Sequence, residues 1–137
     1  MTTRQLARGY LRKCTDRLAA REVLLQREAF SDVVRESQEI VELALKGLLR
    51  AVGIDPPKWH DVGDLLIEYA HRLSGLSAEE LRALAAASKS LRKEREFSFC
   101  GDVDFIPTEE YDREDAALAF DQARRATAAL RQLLPPV

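Results

Sequence analysis

Apolar residues recur at intervals of three and four along almost the whole chain, and no alternating strand pattern persists for long. The first such segment spans about residues 3–26. Leu11, Cys14, Leu18 and Leu25 follow the 3.6-residue period, and Gly9 weakens the opening turns. The second, about 29–52, is the most strongly patterned. Phe30, Val33, Val34, Ser37, Ile40, Val41, Ala44, Leu45, Leu48 and Val52 form a stripe broad enough to meet more than one neighbour. Gly53 stands where a left-handed C-cap belongs. The stretch IDPPKWH that follows is barred from helix by its two prolines.

A third, shorter helix is predicted from a cap at Asp61, with Leu65, Leu66, Tyr69, Ala70 and Leu73 on its apolar face and an end at Ser74-Gly75. The fourth opens with Ser-Ala-Glu-Glu at 77–80, a capping box in which Ser77 bonds the backbone and Glu80 reaches back. Its stripe is Leu81, Leu84, Ser88 and Leu91, and the next place on that stripe is Arg95. Past Arg95 the pattern breaks, and 96–111 reads as a loop carrying Phe97, Phe99, Phe105 and Tyr111. The fifth helix starts from Asp112, with Asp115 at its third position, and runs to about Leu134. Its seam of Ala116, Ala119, Phe120, Ala123, Ala126, Leu130 and Leu133 is rich in small residues that allow close approach. Short connections favour antiparallel neighbours. The expected architecture is all-α: an up-and-down four-helix bundle with an extra short helix, in a single domain over 1–137.

Charge changes this picture locally. The net charge of −2 over 137 residues gives no global basic footprint for nucleic acid. Yet residues 1–27 hold seven basic side chains against Asp16 and Glu22, whereas 101–121 hold eight acidic ones against Arg113 alone. The basic segment reads either as a face for phosphates or an acidic partner, or as a solvated face that complements the acidic segment of the same molecule. No apolar run is long enough for a membrane span, and the N-terminus lacks the apolar core of a secretory signal, which predicts a cytoplasmic protein. Cys14 and Cys100 fit no metal spacing and read as free thiols, Cys14 on an apolar stripe.

Few residues carry candidate chemistry. There is no Gly-rich phosphate loop, no HExxH and no GxSxG, and no metal or cofactor is expected. His71 falls with Asp64, Glu68 and Arg72 on the polar side of the third helix and reads as solvated. His60 follows Trp59 at a helix start, placed either to meet a ligand or to satisfy loop backbone. Gln38, Glu42 and Lys46 lie at four-residue spacing, with Glu42 and Lys46 in the favourable order for an intrahelical pair. Glu39 and Glu42 flank the apolar stripe, so one of them is expected to pair across helices. Arg95 interrupts an otherwise apolar row, so its guanidinium needs a carboxylate, a carbonyl or a phosphate. Asp102 or an acidic residue of the second helix could serve in a structural pair, and a phosphate ligand is the alternative.

Three stretches together resemble the HEPN family (higher eukaryotes and prokaryotes nucleotide-binding domain) across about residues 4–134. They are SQEIVELALKGLLRAVGID at 37–55, PPKWHDVGDLL at 56–66 and RKEREFSFCGDVDFIPTEEYDREDA at 92–116. The resemblance implies an all-α bundle, usually a homodimer, and a frequent partner in a minimal nucleotidyltransferase, often as a toxin–antitoxin pair. Many members are metal-independent ribonucleases whose motif is Arg, four to six residues, then His. Here Arg95 matches the arginine, but Cys100 stands where the histidine would. Neither His60 nor His71 lies at that distance after any arginine. The expectation is therefore a non-catalytic, dimeric module that binds a nucleotide, RNA or a nucleotidyltransferase. Its ligand or partner residues would be drawn from Arg95, Gly101, Asp102, His60, Glu42 and Lys46. The alternatives are a divergent metal-independent ribonuclease working through Arg95, with Cys100 as the other catalytic candidate, and a structural helical scaffold.

Overall fold

The computed structural model describes residues 2–56, 58, 62–99 and 111–134, with side chains for all of these except 92–99. The helices are α1 Thr3–Gln26, α2 Phe30–Ala51, α3 Val62–Glu68, α4 Ala78–Phe99 and α5 Arg113–Leu133, with a 3-10 turn at Ala70–Arg72. No strand occurs among the described residues.

Several boundaries follow from how the chain satisfies its orphan backbone groups. Thr2 caps α1: its hydroxyl accepts from the Gln5 N–H at 3.1 Å, and the Gln5 side chain accepts from the Thr2 N–H at 2.7 Å. At the far end Glu28 takes a left-handed backbone, φ 62°. Its N–H donates to Leu25 O and the next, of Ala29, to Leu24 O. That is a Schellman turn made without glycine, and it carries the strain of a β-carbon in that region. The same turn ends α2 with the glycine the pattern calls for. Gly53 has φ 81°, its N–H donates to Arg50 O, and the Ile54 N–H donates to Leu49 O at 2.9 Å. The Arg72 guanidinium donates to Val52 O and so ties the 3-10 turn to this end of α2.

Two expectations are corrected. The third helix stops at Glu68, and Tyr69–Leu73 tightens into i→i+3 bonds, Arg72 N–H to Tyr69 O and Leu73 N–H to Ala70 O. The tighter turn delivers Leu73 and then Leu76 to the core, both buried. The fourth helix does not end near Arg95 but continues through Phe99. The stretch 92–100 contains no glycine or proline and begins with good helix formers, so nothing local stops it before Gly101. The cap expected at Asp61 lies outside the described residues. At the start of α4, Ser77 Oγ accepts the Glu80 N–H as expected, at 3.0 Å. The Glu80 carboxylate, however, is gripped by Arg125 of α5 through Nε and Nη2, at 3.0 and 2.7 Å. The α5 cap forms in full: Asp112 accepts from the Asp115 N–H at 2.9 Å, and Asp115 accepts from the Asp112 N–H at 3.0 Å. The bond from the Asp115 backbone holds the Asp112 carboxyl below the usual carboxylate range.

Cross-helix contacts fix the directions. Arg17 and Arg21 of α1 reach Glu39 and Glu36 of α2, so these helices are antiparallel. Arg113 of α5 meets Glu28 while Arg131 meets Thr15, which sets α5 antiparallel to α1. Arg125–Glu80 and Gln132–Gly75 set α4 antiparallel to α5. The result is up-down-up-down. α2 is the central helix, packed on α1, α4 and α5, and its broad stripe accounts for that position. Ile40, Val41, Ala44, Leu45, Leu48 and Leu49 are fully buried, with Leu81 and Leu84 of α4 and Ala123, Ala126 and Leu130 of α5 around them. α2 and α5 approach closely at Gly47. A β-carbon there would lie 2.7 Å from Leu130 Cδ2 and 3.3 Å from Tyr10 Cβ.

Candidate functional site

α4 carries the row Leu81, Leu84, Ser88, Leu91, and the first four of its positions are buried. Arg95 falls seven residues after Ser88, two turns on along the same face, inside the helix rather than at its end. Its side chain lies outside the described residues, as do Cys100, Gly101, Asp102 and His60 entirely. Ser88 is buried, and its hydroxyl has no hydrogen-bond partner among the described residues. A buried hydroxyl left so is costly, about 1–3 kcal/mol.

On α2, Glu42 and Lys46 are both half-buried. Gln38, one turn before Glu42, is buried. The pairing expected across helices is made by Glu39, 3.8 Å from Arg17, and more tightly by Glu36, 2.5 Å from Arg21. The sequence reading passed over Glu36. Its signal was its place four before Ile40, at the edge of the apolar stripe that faces α1. Two cations in the C-terminal half of α1, Arg17 and Arg21, are thus paired with α2. From residues 111–121 the ion pair to the α1–α2 turn has the opposite polarity, Arg113 to Glu28 at 2.6 Å, with Arg113 also 5.4 Å above the Phe30 ring.

His71 is exposed in the 3-10 turn, its ring 6.4 Å from that of Tyr69. Among the described residues no three His, Cys, Asp or Glu side chains are placed to hold a metal ion, and no helix is long and apolar enough to cross a membrane. The Glu80 carboxylate, bonded to Arg125, raises the pKa of that guanidinium.

Cys14 is fully buried where α1, α2 and α5 meet, with Sγ 3.7 Å from Ile40 O. Burial pushes its thiol up to about 11 from an ordinary 9.0, against weaker opposing pulls from Thr127 and Arg17. Cys14 is thus a core residue and not a nucleophile. Because the folded value is raised, the protonated thiol's contribution is complete below about pH 9 and is lost as pH rises through 11. In the native protein at pH 8, iodoacetamide is expected to leave Cys14 unmodified, as read by peptide mass mapping, and to label it only on unfolding. Labelling at the rate of a free thiol would show that the junction is open. The denaturation midpoint is likewise expected to fall between pH 9 and 11 and to fall less in Cys14→Ala.

With this geometry in place, one comparison with known proteins is positive: a family model described as HEPN domain matches residues 7–133. No curated protein and no solved structure matches the chain.

Proposed function

The chain belongs to the HEPN family of helical modules, of nucleotide-binding or ribonuclease type, and we propose that this member is non-catalytic and dimeric and binds a nucleotide or a minimal nucleotidyltransferase partner. One observation carries the reading. Arg95 is followed after four residues by Cys100, where the ribonuclease motif requires histidine. The arginine keeps a guanidinium suited to phosphate. The thiol lacks the near-neutral proton chemistry that cleavage needs. The buried Ser88 hydroxyl, at the middle of α4 and two turns before Arg95 on the same face, is an unpartnered polar atom on this otherwise apolar row.

Thermal shift against a panel of nucleoside mono-, di- and triphosphates tests the reading. A ligand at 100 times its Kd stabilises the folded state by about 2.7 kcal/mol, so at least one nucleotide should raise the midpoint by several degrees in the wild type and leave Arg95→Ala unmoved. A panel that shifts neither protein, together with no nucleotidyltransferase co-purifying from the native host, would count against it. If instead Arg95→Ala unfolds more easily while every ligand and partner assay stays the same, the arginine is a structural tie and the scaffold reading stands.

A further inference from the structure

Two serines sit on stripes that are otherwise apolar. Ser37 of α2 lies between Val33 and Ile40, and Ser88 of α4 lies between Leu84 and Leu91. α2 packs on both α4 and α5, and the register of these helices brings the two serines to one level. α2 and α5 are each antiparallel to α1 and so run parallel. Val33 clusters with Ala116 and Phe120, and Gly47 meets Leu130. Ser37, one turn past Val33, is therefore level with Phe120, one turn past Ala116. On α4, Glu80 is bonded to Arg125 of the antiparallel α5. Ser88, two turns past Glu80, is therefore level with Leu118, two turns before Arg125. The two serines thus fall within a turn of each other along the bundle. To this layer α5 brings Ala116, Ala119 and Ala123, all buried.

Both serines are shut away from solvent, at 0% and 1% exposure, and neither hydroxyl has a hydrogen-bond partner among the described residues. Other hydroxyls on these helices behave differently. Thr127 Oγ1 donates back to Ala123 O and Thr15 Oγ1 to Leu11 O, each at 2.9 Å. Ser37 and Ser88 have the carbonyls of Val33 and Leu84 one turn behind them and bond neither, nor do they bond each other. A hydroxyl that forgoes its own backbone inside a core gives up its hydration without return unless something else meets it. Two hydroxyls on packed helices, at one level and bordered by alanines, suit one small molecule that can both donate and accept. We infer that Ser37 and Ser88 together hold an internal water molecule between α2 and α4. Hydroxyl and methyl groups supply no charge, so the site takes a neutral molecule rather than an ion. It explains why a serine stands on each of two facing apolar stripes at the same height, and it does not rest on the function proposed above.

The test combines a count of long-lived waters with a double-mutant cycle. Magnetic relaxation dispersion of the solvent oxygen nucleus reports water molecules and not hydroxyl protons. Its amplitude should fall by about one long-lived water from the wild type to Ser37→Ala/Ser88→Ala. In thermal melts each single variant should lose about 2–4 °C, and the double should lose less than the two singles added together, since both hydroxyls serve one water. Ser90→Ala, on the exposed side of α4, should melt at or above the wild type and sets the baseline for the better helix propensity of alanine. An unchanged dispersion amplitude would overturn the inference. So would single variants that melt above the Ser90→Ala baseline, which would make the layer dry, or strictly additive losses, which would make the hydroxyls independent. Coupling of Ser88→Ala to Arg95→Ala, with the dispersion unchanged, would give Ser88 a partner within the protein. That result would overturn the internal water while leaving the proposed function intact.

Discussion

Gly47→Leu should abolish the stable bundle or lower its melting midpoint by about 10 °C or more. Even the first atom of any side chain at this position collides, 2.7 and 3.1 Å from the two methyls of Leu130 and 3.3 Å from Tyr10 Cβ. Leu130 is fully buried, so it has no solvent side to which it can retreat. Alanine adds only that first atom. It gains roughly 0.8–1 kcal/mol of helix propensity and loses about 1–3 kcal/mol to overpacking, a small net cost. Leucine keeps the collision and forces the rest of an isobutyl group between α1, α2 and α5, at about 3 kcal/mol or more. Against a typical total stability of 5–15 kcal/mol, that is a large share, and at this chain length it corresponds to about 10 °C. The measurement is a thermal melt by circular dichroism. Gly47→Ala/Leu130→Ala makes room on the opposite side, and its effect should be smaller than the two single effects added together. A Gly47→Leu protein that melts with the wild type would contradict the close junction of the three helices.

Gly47 also marks where the sequence stops being readable. The run ALKGLL reads as the middle of a strong helix, and nothing local says which residue faces the glycine. Where the physics is local, the reading succeeds. The α2 stripe predicts a helix with several neighbours, Gly53 predicts its left-handed cap, and Asp112 with Asp115 predicts the start of α5. It fails where a tertiary partner decides. Glu80 satisfies a capping pattern but also bridges to Arg125, 45 residues away. Glu28 takes a conformation its own chemistry disfavours, held by Arg113. The third helix gives way to a 3-10 turn whose Arg72 is bonded to the end of α2, 20 residues away. At the candidate site the legible part was compositional. Arg95 was recognisable as the polar member of an apolar row, and Cys100 as a departure from a motif. The buried Ser88 hydroxyl acquired significance only once the helix was placed.

The second large effect is chemical. A well-placed histidine acting as general acid or base contributes about 10²–10⁴ in rate. Its replacement at the corresponding position by Cys100 removes that contribution, because a thiol is a poor proton shuttle for RNA cleavage unless its pKa is drawn well down. The protein should therefore bind without cutting. The decisive measurement is the length distribution of a labelled single-stranded RNA after prolonged incubation with excess protein in chelator, wild type beside Arg95→Ala. Full-length RNA in both lanes is the predicted result. Cleavage by the wild type that disappears in Arg95→Ala would contradict the account and make the protein a metal-independent ribonuclease working through Arg95.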